Sequence, residues 1–212
     1  MKLIIFGPQG AGKGTQSGRI AAKYDIPVIS TGDTFRWAIS SGTEVGKQAD
    51  EYVSQGRLVP DDITVGVVRE RLEAGDCSVG FLLDGFPRNL VQARALDEIL
   101  SAKGCDLDAA VMLEVPQETS LRRLTGRRIC ASCGRNYHVD SPPQENWTCD
   151  DCGGEVLARR DDQDEDAIRQ RLKVYREQTA PLKDYYATTG RLREIDGEGS
   201  PDEVFDRIAA AL

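Results

Sequence analysis

Short apolar runs and longer amphipathic stretches take turns along the chain. The runs Leu3–Phe6, Pro27–Ser30, Phe81–Asp84, Ala109–Glu114 and Arg193–Asp196 have strand length and predict β-strands. Between them the helical spacing of apolar positions predicts helices over residues 13–23, 31–41, 43–54, 62–74, 89–102, 117–126, 164–188 and 202–211. Alternation of this kind predicts an α/β fold with a parallel sheet covered by helices on both faces. Ligands of such sheets sit beyond the carboxyl ends of the strands. One stretch breaks the alternation. Residues 127–162 carry no period and hold four of the chain's six cysteines, which predicts an inserted subdomain.

The first strand runs straight into Gly7-Pro-Gln-Gly-Ala-Gly-Lys-Gly-Thr15. A glycine-rich turn between strand and helix aims successive backbone N–H groups into one nest, which suits a phosphate. Lys13 supplies a cation for the outer phosphates, and the following helix presents its positive end to the same anion. The strict pattern places Ser or Thr directly after the lysine; here Gly14 intervenes and Thr15 comes next. Further on, the apolar strand Leu82-Leu83 delivers Asp84, where a phosphate-loop protein needs an anchor for Mg²⁺ or its waters. Arg88 follows the turn and is placed to clamp a second phosphate. Thr31-Gly-Asp-x-x-Arg36 opens a helix, and Arg123, Arg127, Arg159 and Arg171 flank the cysteine segment. Phosphoryl transfer needs little covalent chemistry; it needs positioning and positive charge.

Charge narrows the classes of function. With 27 basic and 35 acidic residues among 212, the net charge is −8, which argues against a general nucleic-acid binder. No apolar run approaches the ~18 residues of a membrane span, and the apolar stretch after Met1-Lys2 is too short for a signal peptide. A cytoplasmic protein is expected, whose cysteines are thiols or metal ligands before they are disulfides.

Cys130-x2-Cys133 and Cys149-x2-Cys152 are fifteen residues apart. Two such knuckles can wrap four thiolates around one tetrahedral ion; disulfides or idle thiols are the alternative. Four thiolates leave no open position, so a metal there is structural and holds together an insertion with almost no apolar core. Arg127, Arg128 and Arg135 are near enough in sequence to offset the charge of such a site or to serve the nucleotide. Cys77 and Cys105 stand alone and are expected to be small buried residues. His138, the only histidine, has no evident partner in the sequence.

Taken together the chain resembles the adenylate kinases, in their long form with a zinc-containing lid. The resemblance covers nearly all of it. Its carriers are Gly7 to Gln16, Ser30-Thr-Gly-Asp33 with Arg36, Gly56-Arg-Leu-Val-Pro60, Leu83-Asp-Gly-Phe-Pro-Arg88 with Gln92, Leu124-Thr-Gly-Arg-Arg128, the four cysteines, and Arg159-Arg-Asp-Asp162 with Arg171-Leu172. The family has glycine then threonine after the lysine, so Gly14-Thr15 fits it.

The resemblance implies a P-loop nucleoside monophosphate kinase with a five-stranded parallel sheet. Its core would be 1–30, 61–126 and 163–212, its AMP-binding segment 31–60 and its lid 127–162. The implied reaction is MgATP + AMP ⇌ 2 ADP, with Mg²⁺ at the reaction and Zn²⁺ (or cobalt or iron) in the lid of a monomer. Gly10, Ala11, Gly12, Lys13, Gly14, Thr15, Arg123, Arg127, Asn136, Tyr137 and Gly199 would bind ATP. Thr31, Arg36, Arg57, Leu58, Val59, Gly85, Phe86, Pro87, Arg88 and Gln92 would bind AMP. Arg159 and Arg171 would reach the phosphates from the lid side, and Asp84 would anchor Mg²⁺ through water. Asn89 and Thr64 resemble UMP/CMP kinases instead; Gln92, in the place of the adenine-reading glutamine, and the cysteine lid favour AMP. A UMP/CMP kinase, a GTP-dependent enzyme and a zinc-ribbon nucleic-acid module remain as alternatives.

Overall fold

The computed structural model describes residues 1–54, 59–158 and 165–212. Along the chain run β1 (Lys2–Phe6), α1 (Lys13–Tyr24), β2 (Val28–Ser30), α2 (Thr31–Ser40), α3 (Glu44–Val53), α4 (Asp61–Leu72), β3 (Phe81–Asp84), α5 (Leu90–Ala102), β4 (Ala109–Glu114), α6 (Gln117–Thr125), β5 (Arg127–Cys130), β6 (Asn136–His138), β7 (Val156–Ala158), α7 (Glu165–Val174), α8 (Leu182–Thr188), β8 (Leu192–Asp196) and α9 (Pro201–Ala211). All five predicted strands and most predicted helices are present within a residue or two of their expected ends.

Five strands form one parallel sheet in the order β2-β3-β1-β4-β8. The chain leaves β1 toward one edge and later returns past it toward the other. That reversal opens a crevice at the carboxyl end of β1, where such sheets bind ligands. The register sets Ile5 opposite Asp84, so the ends of β1 and β3 are level. Both faces are buried. Ile4, Leu83 and Met112 pack with Phe86, Leu96 and Tyr186 on one side; Leu3, Ile5 and Val111 pack with Ile20, Val204 and Ile208 on the other. Burial on both faces is why the inner strands read as continuous apolar runs. The edge strand β8 buries only Ile195 and carries charge outward, with Glu194 paired to Lys183 at 2.5 Å. Charge on an edge discourages pairing with other chains.

Tyr186 is fully buried, edge-on to Tyr185 with ring centroids 5.2 Å apart and tilted to Phe6 at 6.2 Å. Its hydroxyl has no hydrogen-bond partner among the described residues. A buried polar group without a partner costs stability, whereas the ring contributes packing. Tyr186→Phe is therefore expected to leave stability unchanged or raise it by about 1 kcal/mol in urea unfolding. A loss of ~2 kcal/mol would show that the hydroxyl is bonded in solution.

The single helix expected over 164–188 is two helices. α7 ends at Val174, a π turn covers Tyr175–Thr179, and Pro181 precedes α8. Proline has no N–H for the helical ladder and its ring clashes with the preceding turn, so the helix restarts there. The apolar period runs on through Leu172, Leu182 and Tyr186, all buried, and that continuity hides the break in the sequence. The π turn makes two contacts across the fold: Thr179 Oγ1 donates to the Arg88 carbonyl at 2.7 Å, and Arg176 donates to Gln117 Oε1 at 2.5 Å.

Residues 127–158, expected to be irregular, carry a small antiparallel sheet in the order β6-β5-β7. Among the described residues its buried cluster is Cys130, Tyr137, Cys149 and Val156. Strands of three or four residues with so few apolar positions leave no period to detect. A separate small cluster of Ala38, Ala49 and Val67 holds α2, α3 and α4 together. Among the described residues no helix is long and apolar enough to cross a membrane.

Candidate active site

The turn after β1 hands the chain to α1 through Gly12, which caps the helix in the left-handed region at φ 98°. A side chain at Gly10 (φ 82°) would sit 2.8 Å from the Ser120 carbonyl oxygen, so only glycine fits between the turn and α6. No acidic residue stands in the first turn of α1, whose free N–H groups face the cleft. Lys13 Nζ folds back and donates to the carbonyls of Gly7 at 2.7 Å and Pro8 at 2.9 Å. Desolvation pushes its ammonium down to about 8; Asp84 opposes this, while Arg88 and Arg127 add to it.

Asp84 ends β3 beside that lysine. The single Ser17 hydroxyl proton is shared between Asp84 Oδ2 at 3.0 Å and the Lys13 carbonyl at 2.8 Å, which ties the carboxylate to α1. Burial pushes the Asp84 carboxyl up, and Lys13, the Ser17 hydroxyl and Arg88 pull it back. The following Gly85 has φ 84°, and a side chain there would meet Thr31 Oγ1 at 2.6 Å. Thr31 Oγ1 donates to the Gly85 carbonyl at 3.2 Å. Arg88 Nε donates to the same carbonyl at 2.7 Å, and its NH2 group to Thr31 Oγ1 at 3.2 Å. Thr31, Gly85 and Arg88 thus form one knot at the end of β3.

A cleft of about 1130 Å³ opens above these groups. Its floor is the turn from Gly10 to Thr15 with Asp84 and Arg88. One wall carries Arg123, Arg127 and Arg171; Asn136 and Tyr137 come from the small sheet, and Gly199 from the loop before α9. Arg123 lies along the floor, donating to the carbonyls of Gly10 at 3.4 Å and Gly197 at 3.0 Å. Arg122 and Arg135 also line the cleft, the first paired to Asp140 at 2.7 Å and the second to Asp151. The sequence offered Arg135 either to the metal site or to the nucleotide, and pointed to neither Arg122 nor Ser17. Arg128 turns away and stacks over Trp147 at 5.9 Å. His138 does have partners: Nδ1 accepts from the Asp140 N–H at 3.1 Å, which leaves Nε2–H to donate to the Arg122 carbonyl at 3.3 Å.

On the other side of the knot, Arg36 is exposed on α2 with its guanidinium beside Gly32, and Val59 packs on the small α2–α4 cluster. Phe86 is 1% exposed, so only its backbone is available to a ligand. Gln92 is buried at the start of α5. Arg57, Leu58 and Arg159 lie outside the described residues. Cys77 is buried in the main core, where desolvation pushes its thiol up to about 11, and Cys105 packs against the same core half-buried.

The four sulfurs of Cys130, Cys133, Cys149 and Cys152 lie within 4.8 Å of one another. Cys130 to Cys152 is 3.5 Å and Cys133 to Cys149 is 3.6 Å. A disulfide needs about 2.05 Å. A tetrahedron of sulfurs about 2.3 Å from one ion has edges of about 3.8 Å. The cluster therefore has the dimensions of a metal centre. Donors already point at it: the Cys133 N–H to Cys130 Sγ at 3.5 Å and Tyr137 Oη to Cys149 Sγ at 3.3 Å. Tyr137 is itself held by the Asp150 N–H at 2.9 Å, the outer bonding that orients metal ligands.

A cleft with this equipment binds and neutralises polyphosphate chains. Its one histidine, His138, is held by local bonds. These features define a P-loop phosphotransferase. The family model described as adenylate kinase matches residues 5–191. Proteins named adenylate kinase are 53% identical in Syntrophobacter fumaroxidans over all of both chains, and 53% in Thermodesulfovibrio yellowstonii over all of this chain and 99% of the relative. One from Archaeoglobus fulgidus is 50% identical over all of this chain and 98% of its own. The chain belongs to the adenylate kinase family, enzymes of the reversible reaction ATP + AMP ⇌ 2 ADP.

Proposed function

We propose that ATP lies over the turn Gly10–Thr15 and AMP on the far side of the Thr31–Gly85–Arg88 knot, with the transferring phosphoryl group between Lys13 and Arg88. The convergence of Lys13, Asp84 and Arg88 at the level ends of β1 and β3 carries this reading. The N–H groups of Gly12, Gly14 and Thr15 hold the ATP phosphates, and Arg123 stacks on the adenine. Asn136, Tyr137 and Gly199 bound the same nucleotide. Arg127 and Arg171, joined by Arg159, neutralise the charge that would otherwise keep two polyphosphates apart. Thr31, Arg36, Arg57, the backbone from Leu58 to Val59, Gly85 to Arg88 and Gln92 hold AMP. No general base is required, because the attacking oxygen belongs to a phosphate. Asp84, an oxygen ligand tied to Ser17, would hold a Mg²⁺ bound with ATP, and such an ion would spread the charge of the phosphates.

We further propose Zn²⁺ in the cysteine site, with a structural part only, and a cytoplasmic monomer that has no nucleic-acid or membrane partner. Residues 127–162 form a lid that moves apart from the core and from the segment 31–60, and keeps water from the phosphoryl group. An inhibitor joining two adenosines through five phosphates should occupy both sites at once. It is expected to slow hydrogen exchange in the lid; unchanged exchange at saturation speaks against closure. The function itself is tested by a coupled assay of ADP formation with AMP, UMP and CMP as acceptors and ATP or GTP as donor. AMP with ATP should give the highest kcat/KM, and a preference for UMP or CMP would overturn the assignment.

Lys13 gives the pH dependence. In the free enzyme its ammonium is pushed down to about 8. Phosphate needs the charged form. Below that pH kcat/KM for ATP should be flat, and above it should fall by about tenfold per unit. In the bound complex the phosphates raise the lysine again, so kcat should bend at a higher pH than kcat/KM. Coincident bends in the two profiles would assign the titration to another group.

A further inference from the structure

Both ends of the Gln92 side-chain amide are already engaged. Oε1 accepts from the Arg88 backbone N–H at 2.7 Å, and Nε2 donates to Asp61 Oδ1 at 2.6 Å. Asp61 is the first residue of α4. It is fixed in turn by Asn89, whose Nδ2 donates to its two carboxylate oxygens at 3.1 and 2.9 Å. The other end of Asn89 is committed as well, since Oδ1 caps α5 by accepting from the Gln92 N–H at 2.9 Å. Every polar atom in this chain of bonds has a defined sense. A carboxylate only accepts and a backbone N–H only donates. Turning the Gln92 amide over would set Oε1 against the Asp61 carboxylate and Nε2 against the Arg88 N–H. Two attractions would become two repulsions.

The amide keeps one N–H and one lone pair unspent. With Gln92 at the base of the acceptor nucleotide, those two are what the base meets. A 6-aminopurine presents a ring-nitrogen acceptor beside an N–H donor. A 6-oxopurine presents a ring N–H beside a carbonyl oxygen, the same pair reversed. A glutamine free to turn over serves either base; a locked one serves one and opposes the other, which is how selectivity arises from an unfavourable arrangement as well as a favourable one. We infer that Asp61 is a positioning residue that locks the Gln92 amide and so makes the acceptor site choose a 6-aminopurine over a 6-oxopurine nucleotide. The inference rests on the acceptor-site reading of Gln92.

The test measures kcat and KM for AMP and for inosine monophosphate at saturating MgATP. The proteins are the parent, Asp61→Asn, Asp61→Ala and Gln92→Leu. In Asp61→Asn the neighbour both donates and accepts, so one of the two repulsions against turning over is gone and only the Arg88 N–H still favours the parent orientation. The ratio of kcat/KM for AMP over inosine monophosphate should fall by about 10- to 100-fold, mainly through KM, with the inosine nucleotide gaining outright. Asp61→Ala should move the ratio the same way and stands in if the first variant does not fold. A merely structural part for Asp61 at the start of α4 would lower both substrates together and leave the ratio alone. An unchanged ratio in a folded Asp61 variant, with selectivity lost in Gln92→Leu, overturns the lock but leaves Gln92 as the base contact. Unchanged selectivity in Gln92→Leu overturns both.

Discussion

Lys13→Ala and Arg88→Ala should each lower kcat/KM by a factor on the order of 10²–10⁴ while leaving the melting curve nearly in place. The two side chains sit on either side of the position assigned to the transferring group, and the charge there grows as the reaction proceeds. A preorganised donor in a desolvated cleft costs little reorganisation at that moment, so its removal is felt in the transition state more than in binding. Stability is spared because both cations rest on backbone carbonyls at the cleft floor and not in the core. Removing Lys13 even relieves the cost of keeping an ammonium that desolvation has pushed down to about 8. Near-normal turnover in either variant would move the reaction away from the ends of β1 and β3.

Stripping the metal from the four-cysteine site, by chelation or in a Cys149→Ser/Cys152→Ser double variant, should lower the melting temperature without abolishing the chemistry. Among the described residues the cluster beneath the small sheet has only Tyr137 and Val156 besides two of the cysteines. So small a core cannot hold three short strands by itself, and metal binding is then folding energy. A loss of ~3 kcal/mol corresponds to a fall of roughly 6–12 °C for a chain of this size. Below the new melting point turnover should largely persist, because four thiolates leave no position on the ion for water or substrate. The readouts are bound metal, melting and turnover on one preparation. Turnover lost at a temperature where the protein is still folded, and restored by metal alone, would give the ion a part in catalysis.

The inner strands were legible because burial on both sheet faces forces apolar runs, and the glycine turn was legible because its backbone shape admits few residue types. The spacing of the cysteine pairs was enough to expect four sulfurs in one cluster, and they do converge. What escaped depends on distance in three dimensions. Ser17 looks like any helical serine until α1 is laid beside β3 and its hydroxyl reaches Asp84. Asp61 reads as an ordinary acidic residue in the first turn of a helix; only the approach of α5 reveals Asn89 and Gln92 bound to it. The π turn at Tyr175–Thr179 is invisible because the apolar period continues through it. The strands of the small sheet are too short for a period, and their order comes from cross-strand pairing and the cysteine cluster.

The cleft gathers six arginines and Lys13 against Asp84, Asp140, Asp150 and Glu198, an excess of positive charge in a protein whose net charge is −8. The rest of the surface is therefore more acidic than the total suggests. To a polyphosphate at a distance the molecule is repulsive over most of its area and attractive through one opening. Low-dielectric walls focus the field lines through that opening. Within about 8 Å, the Debye length at physiological ionic strength, an approaching nucleotide is drawn to its site and not to stray basic patches. The same asymmetry makes capture of nucleotide, more than its chemistry, the step that added salt should slow.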